Sequence, residues 1–315
     1  MTYEQLSQHV ADIQQSALVF ALRSQEVTYD EKTKTYHDYI SDIQVDPPTR
    51  ETTGQFEVVA ELFEPFYRMP DPAELRVLRG WVASAAAKLN HDGAEISVDS
   101  GFVGSNPQLG KMDAIASLIS DWDGFAAMEF HENFLGHWPH VTANQFSIAL
   151  ALVGMVEAEA ALWEQARLDV CDIAHAAQTA MDAVGDCRAE DVQFTLNVFS
   201  SIFSLSTLVV PQAEMALTLV GEVAAVAGAT PVGDKKEGKF TGQSPEEIID
   251  EIRASLDELT RRINASEDKV RESADYALGI LATHQDKFTS PRPALADGTR
   301  ANIKDDNDGF GRPIG

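Results

Sequence analysis

A heptad pattern from Thr142 to Val184 constrains the fold of this chain more than any other feature. Apolar residues recur there at alternating steps of three and four positions, interrupted only by Arg167. This spacing predicts a straight α-helix with one narrow apolar seam, typical of a coiled coil or a long bundle helix. At about 1.5 Å per residue the helix would be roughly 64 Å long, too long for the buried helix of a compact domain. Thr142 and Gln145 predict a capping box at its start, and Gly185 predicts its end.

A second long helix is predicted near the end of the chain. Ser244-Pro245-Glu246-Glu247 combines a capping box with proline at the first helical position, and a seam beginning at Ile252 continues to Leu281 within a helix expected to reach Phe288. A helix of this length can lie antiparallel along the first long one. The sequence therefore predicts an all-α fold with almost no sheet, an elongated antiparallel helical bundle with long coiled-coil-like helices.

The remaining segments give the expected domain organisation. Residues 1–70 comprise a helix from Thr2 to about Arg23 and an irregular segment that packs on the bundle. The helical bundle spans 71–288, and the tail, 289–315, is rich in Pro, Gly, Asp and Asn and is predicted to be disordered. Within the bundle we expect a helical hairpin at about 108–184, an apolar helical pair at 194–229 and the last helix at 245–288.

Charge and cysteine content exclude several classes of protein. With 24 Lys and Arg against 50 Asp and Glu the formal net charge is −26, which opposes binding to nucleic acid and to anionic lipid.

Cys171 and Cys187 are sixteen positions apart near one helix, too far for an intrachain disulfide, which needs Cα atoms closer than about 7 Å. The N-terminus carries no basic region followed by a long apolar one, so we expect no classical signal peptide.

A tight turn is predicted at Trp122-Asp123-Gly124, between two segments with helical spacing. Trp122 can bury a large ring where two helices cross, and deletion of a buried ring would cost about 3–5 kcal/mol. Gly124 can adopt a positive φ or allow close backbone approach. An ordinary corner between two helices predicts the same contacts.

The segment Asp121–Val184 resembles the Trp-x-Gly helical-hairpin superfamily, whose members are substrates of type VII (ESX) secretion systems in Gram-positive bacteria. The resemblance rests on Trp122 and Gly124, on the small and aromatic residues from Phe125 to Phe130, and on two stretches of the following helix. Those stretches are Glu157–Trp163 (EAEAALW) and Ala166–Val170 (ARLDV). The chain looks like a larger relative with the hairpin embedded in a longer sequence. The family's export signal, Tyr followed four residues later by Asp or Glu, does not occur after Val184.

The resemblance implies a non-enzymatic protein that acts through protein–protein interaction during or after export. Trp122 and Gly124 would form the turn, and Phe125, Phe130 and Trp163 would pack the hairpin. Expected partners are a second copy of the chain or another helical-hairpin protein, together with a type VII export ATPase. The protein would be cytoplasmic before export and then secreted or associated with the cell envelope. We expect no cofactor and no nucleic acid.

The apolar pair at 194–229 supports an alternative function. Phe194–Val210 and Ala213–Ala229 are apolar segments of about 17 residues joined at Pro211, and such a hairpin could enter a membrane. Glu214 and Glu222 count against a resident membrane span, because ionised groups in hydrocarbon are costly. The alternatives are therefore a buried helical pair, which we favour, and a helical pore-forming or membrane-active protein.

Two clusters could carry chemistry. His131, Glu132, His137 and His140 are the densest set of metal-ligand residues, and a metal-dependent enzyme at this corner is a second alternative, although the spacing is not His-Glu-x-x-His. Cys171 and His175 lie one turn apart and could form a thiolate–imidazole pair. An ordinary polar corner and a buried free cysteine explain these residues equally well, so we assign no catalytic residue and no metal ligand.

Overall fold

The computed structural model describes residues 2–30, 32–38, 40–46, 56–91, 96–98, 101–103, 106–119, 121–185, 191–198 and 236–290. This part of the chain is predominantly helical and contains a few small antiparallel sheets. The helices are α1 (Leu6–Ser24), α2 (Val58–Phe63), α3 (Pro72–Leu89), α4 (Lys111–Leu118), α5 (Phe125–Phe130), α6 (Trp138–Gly185), α7 (Pro245–Thr283) and α8 (Gln285–Phe288). The strands are β1 (Val27–Asp30), β2 (Thr35–Asp38), β3 (Gln44–Val45), β4 (Ile96–Val98), β5 (Gly101–Val103), β6 (Val192–Leu196) and β7 (Lys236–Phe240).

The two longest helices are those with heptad spacing. α6 has 48 residues and α7 has 39, and a break at His284 separates α7 from the short α8. α1 follows a short 3-10 turn at Tyr3–Gln5, where the Thr2 backbone N–H donates to Gln5 Oε1 at 3.2 Å. The helical prediction is therefore confirmed at the level of these elements, while the elongated coiled-coil bundle stays a prediction.

The predicted start of the first long helix at Thr142 is wrong. α6 begins at Trp138 and includes Pro139, which is tolerated in a first helical turn because its missing N–H is not needed there. The Thr142 hydroxyl donates to the carbonyl of Trp138 at 2.9 Å, and does not cap the helix. Gln145 Nε2 donates to the carbonyl of Phe288 at 2.7 Å, so the predicted capping box is replaced by a tertiary contact.

Three small antiparallel sheets depart from the all-α prediction. β1, β2 and β3 form a meander within the segment 26–50, and β4 pairs with β5 ahead of Pro107. β6 pairs with β7 from Val192↔Phe240 to Leu196↔Lys236. Residues 194–196 therefore belong to a strand and not to the predicted apolar helix. The rest of that helical pair, 199–229, and the tail from 291 lie outside the described residues.

The chain divides into two compact units. Of the described residues, the first unit contains those within 2–72, 160–198 and 236–267, and the second those within 73–159 and 268–290. In the first unit one core joins α1, α2, the later part of α6, the β6–β7 pair and the early part of α7. Its fully buried side chains include Ile13, Phe63, Leu162, Ile173, Met181, Phe240 and Ile252.

The second unit has two smaller clusters. In one, Ala86 of α3 packs against Phe146, Leu150 and Val153 of α6. The other joins α6 to the end of α7 and to α8, with Ile148, Ala151, Met155, Ala277 and Phe288 as its buried members. Arg79 Nε lies 2.9 Å from Glu157 Oε2, an ion pair with side chains 10% and 15% exposed. At this depth the loss of either partner would leave a poorly solvated charge on the other.

Arg167 interrupts the seam of α6 because it holds a non-helical segment of the first unit. Its guanidinium lies 4.3 Å from the centre of the Tyr3 ring, and Nη2 donates to the carbonyl of Met69 at 3.0 Å. The Tyr3 hydroxyl donates to the carbonyl of Phe66 and accepts the N–H of Met69. One cationic side chain thus fixes both the N-terminal turn and the chain that leads into α3.

One long helical stretch has the length and composition of a membrane span. The stretch is Ala127–Val184, and 61% of its most apolar window is buried inside the protein. The core helix of a folded protein gives the same result, and the packing of α6 in both units accounts for it.

Packing of Phe194 against a glycine orders the β6–β7 pair. Phe194 pairs directly with Gly238, and its ring stacks on Phe240 with centroids 5.1 Å apart. A Cβ at position 238 would lie 2.2 Å from Cζ of Phe194, which no side chain tolerates. Phe194 is 8% exposed, so a side chain at position 238 would have to displace a buried ring. The sheet therefore requires glycine at this position.

We expect Gly238→Ala to destabilise the protein by about 1–3 kcal/mol, the usual cost of overpacking. Denaturant unfolding followed by circular dichroism measures this change. Gly279→Ala is the matched control, because Gly279 lies in α7 with nothing within 4 Å of its would-be Cβ. The control should be neutral or stabilising by up to about 1 kcal/mol, since alanine is the better helix former. Equal stability of Gly238→Ala and wild type would show that the Phe194 ring moves without cost.

Candidate functional sites: the Trp-x-Gly turn and the base of the apolar segment

The predicted turn joins α4 to α5, and Gly124 has the positive φ that the sequence allowed. Its φ is 93° and its ψ is 173°, and it caps the N-terminus of α5. The Gly124 carbonyl accepts the N–H groups of Ala127 and Met128, both at 3.1 Å. A residue with a Cβ is strained in this backbone conformation, so glycine is needed to start α5 at this angle.

Trp122 is less buried than expected. Its side chain is 43% exposed, and its ring contacts Phe130 with centroids 5.7 Å apart. The expectation that Trp122 buries a large ring where two helices cross is not met at this exposure, and α4 already ends at Leu118. Loss of the indole should therefore cost less than the 3–5 kcal/mol of a buried Trp.

Phe130 begins a row of aromatic rings along one side of the next helical segment. Phe130 and Phe134 stack at 5.2 Å, and Phe134 contacts Trp138 at 6.1 Å. A π-helical turn, His131–Leu135, connects α5 towards α6, and the Gly136 N–H donates to the carbonyl of His131 at 2.8 Å. Steps of four residues keep the three rings on one side. With Trp122 they form a row of four, called the aromatic row below.

The expected hairpin-packing residues do not all meet at the turn. Phe130 does, through its contact with Trp122. Trp163 lies in the first unit, partly buried against that unit's core. The side chain of Phe125 lies outside the described part of the chain.

The histidine corner is not assembled as a metal site in the residues that the structure describes. No group of three or more His, Cys, Asp or Glu is placed there, or elsewhere in those residues, to hold a metal ion. His137 Nδ1 instead lies 2.8 Å from the carbonyl of Glu132, a local contact across the π-helical turn. The geometry therefore gives the metal-enzyme alternative no support.

Cys171 lacks the properties of a nucleophile. It is 4% exposed, whereas His175 lies on the exposed side of α6. Burial, followed by the negative charge of Asp172, raises the pKa of the Cys171 thiol to about 11. The thiol is therefore protonated at neutral pH, the opposite of what a thiolate–imidazole pair requires. Cys187 lies outside the described residues.

A buried carboxylate that the sequence did not single out fixes the chain at the end of β6. Asp169 is 0% exposed, and Oδ2 accepts the N–H groups of Asn197 at 2.6 Å and Val198 at 2.9 Å. Gln165 Nε2 donates to its other oxygen at 2.8 Å. Asp169 thereby ties the middle of α6 to the residues that lead into the apolar segment.

The same carboxylate titrates near physiological pH. Burial raises the pKa of Asp169 to about 6, although the hydrogen bonds from Gln165, Asn197 and Val198 oppose the shift and the charge of Asp172 adds to it. The folded-state pKa exceeds the ordinary value of 3.8. Asp169 therefore contributes stability that is complete below about pH 4 and is lost as the pH rises through about 6.

The return strand β7 is attached to α7 through Glu258. Glu258 Oε1 lies 3.6 Å from Lys236 Nζ, 2.7 Å from Arg261 Nη2 and 2.9 Å from Arg262 Nε. The hydrogen bond from Arg261, with contributions from Arg262 and Lys236, lowers the pKa of Glu258 to about 2. Both strands that flank the apolar segment are thus held by carboxylates on the long helices.

We expect Asp169→Asn to remove one component of the pH dependence of stability. Asparagine can accept both backbone N–H groups without a charge, so the variant should be more stable than wild type at pH 7.5 and similar at pH 4.5. A shift of about two pKa units corresponds to about 3 kcal/mol. Chemical unfolding at the two pH values measures the difference between the proteins, which cancels the titration of other carboxylates.

Asp169→Ala is the contrasting variant. It should destabilise the protein at both pH values, because the buried N–H of Val198 and the half-buried N–H of Asn197 lose their acceptor, and a buried group left unpaired costs about 1–3 kcal/mol. If Asp169→Asn and wild type lose stability in parallel from pH 4.5 to 7.5, Asp169 does not titrate in this range.

Comparison with known proteins adds no relative to this picture. No family model, curated protein or solved structure matches the chain. The similarity to the Trp-x-Gly superfamily therefore rests on the residues of the turn and the helix that follows it.

Proposed function

We propose that this chain is a non-enzymatic helical protein that acts by protein–protein interaction during or after type VII export. The observation that carries the proposal is the turn at Trp122–Gly124. A glycine with φ of 93° lies between two helices there, and the Trp122 ring contacts the helical segment that follows. An ordinary corner needs the glycine but not a tryptophan that remains 43% exposed. The exposed part of the indole is therefore available for contact with a partner.

The proposal includes the expectations that the resemblance implies. The long helices form an elongated antiparallel bundle, and its helical faces bind a second copy or another helical-hairpin protein. A type VII ATPase moves the chain from the cytoplasm to the medium or the cell envelope. No cofactor takes part.

The test is a Trp122→Phe variant expressed in the natural host. Phenylalanine keeps an aromatic ring beside Phe130, so the melting temperature should stay within a few degrees of wild type. We expect secretion into the medium to fall at least severalfold, as it should in a host that lacks the type VII ATPase. Trp81→Phe is the matched control, because Trp81 is a 69% exposed tryptophan on α3, away from the turn in sequence. Undiminished secretion of Trp122→Phe, or of wild type without the ATPase, would remove the export role.

A second candidate function is membrane insertion by the apolar segment between β6 and β7. The observation that favours it is the strand pair, which holds Leu196 beside Lys236. Leu196, the last residue of β6, and Lys236, the first residue of β7, therefore lie at the same end of one ladder. Asp169 and Glu258 hold the two flanking strands. Insertion of the intervening segment would not require this ladder to open. Only Glu214 and Glu222 carry charge between 197 and 233.

Dye-loaded liposomes test this second function. If the segment inserts, wild-type protein should release dye under some condition between pH 4.5 and 7.5, in zwitterionic or anionic vesicles. Leu208→Lys, which places a charge in the apolar segment, should reduce release by about tenfold or more. Leu278→Lys is the control, because Leu278 lies on α7 with 62% of its side chain exposed. Vesicles that stay intact throughout would eliminate the function.

A further inference from the structure

Apolar side chains of the aromatic row and of the end of α4 are partly exposed: Phe130, Phe134 and Trp138 are half-buried, whereas Leu118 and Trp122 are exposed. Its four rings, Trp122, Phe130, Phe134 and Trp138, contact each other in sequence at 5.7, 5.2 and 6.1 Å. Leu118, the last residue of α4, is 81% exposed, and Trp122 follows it by four residues with 43% exposed. α4 packs beside the π-helical turn that carries Phe134. We call Leu118 and the four rings the aromatic face, and all of it lies in the second unit.

Among the residues that the structure describes, none of these five side chains belongs to a buried cluster. The buried clusters of the second unit are formed by other residues of α3, α6, α7 and α8. The position of Leu118 adds little apolar burial to the second unit, because most of its side chain is exposed to water. A run of apolar side chains about 12 Å long, from Phe130 to Trp138, matches two turns of a helix laid beside it.

The charged residues near the aromatic face indicate which class of partner can bind it. No Lys or Arg occurs between Lys111 and Arg167, a stretch that contains the whole aromatic face. Asp121, Asp123 and Glu132 are exposed next to the rings in sequence. A second copy of the chain would place these carboxylates opposite their own equivalents, and nucleic acid or anionic lipid would be repelled in the same way. A partner with both apolar and cationic side chains can pack on the rings and pair with the carboxylates.

We propose that the aromatic face binds a basic amphipathic α-helix of another protein. Aliphatic side chains at helical spacing would cover the rings and Leu118, and Lys or Arg on either side would face Asp121, Asp123 and Glu132. Arginine also stacks favourably on exposed aromatic rings. The inference deepens the interaction function proposed above, because it names the chemistry of the partner, but binding does not require that the protein be exported.

Three synthetic peptides test the proposal against the purified full-length protein. The first is an amphipathic helix of leucine and lysine about 18 residues long, roughly five turns. The second replaces every lysine with glutamate, and the third scrambles the first so that it has no apolar side. Fluorescence anisotropy of labelled peptide gives each Kd. We expect the leucine–lysine helix to bind at least about tenfold more tightly than either of the others, and added salt to weaken its binding.

Two variants separate the aromatic face from charge attraction alone. Leu118→Ser combined with Trp122→Ser keeps the net charge of −26 and should weaken binding of the leucine–lysine helix by about tenfold or more. Both side chains are exposed, so melting should show a folded protein. Trp81→Ser removes another exposed tryptophan of the second unit and should leave the Kd unchanged.

Four outcomes would overturn the proposal. The first two are no binding of the basic helix and equal binding of that helix by the double variant. The other two are a concentration-dependent dimer and binding to zwitterionic vesicles, each of which is lost in the double variant. The last two would assign the face to a second copy or to lipid. Failure of the export test with intact peptide binding would leave this inference standing. Failure of peptide binding with intact export would remove it alone.

Discussion

A helix with an apolar seam must cover that seam along its whole length, and this requirement on α6 determines the rest of the structure. Its 48 residues find different partners in the two units. In the first they pack with α1, α2, the early part of α7 and the β6–β7 pair, and in the second with α3, the end of α7 and α8. Each partner buries apolar area that α6 alone would expose to water. The short elements have too little apolar surface to fold without it.

Sequence reasoning succeeded where the signal was local and failed where it depended on distant pairing. Heptad spacing lies within each helix, so α6 and α7 could be recognised without knowledge of their neighbours. β6 was missed because Val192, Phe194 and Leu196 alternate with polar residues for only five positions, beside a longer apolar run. The residue that orders this strand, Gly238, belongs to a strand more than thirty positions away. No local pattern in the sequence indicates that β6 pairs with β7.

The candidate sites divide in the same way. The positive φ of Gly124 follows from a glycine between two helical patterns, whereas the exposure of Trp122 depends on how far α4 extends and could not be read from its spacing. Asp169 carried a usable signal, since a carboxylate within the most apolar helix must be neutralised or hydrogen-bonded. Its partners, the N–H groups of Asn197 and Val198, become visible only when the fold places them there.

Arg167 and Asp169 together show why polar residues occur in and beside the seam. An uninterrupted apolar helix can bind other apolar surfaces, but it cannot hold backbone that lacks regular hydrogen bonds. Arg167 donates to the carbonyl of Met69, and Asp169 accepts two N–H groups at the end of β6. The Arg167 cation donates to a carbonyl that regular secondary structure leaves unpaired, and the Asp169 anion accepts from N–H groups left unpaired in the same way. Arg167 and Asp169 thus mark two points where non-helical chain is attached to α6. The attachment at Asp169 is the one that leads to the apolar segment.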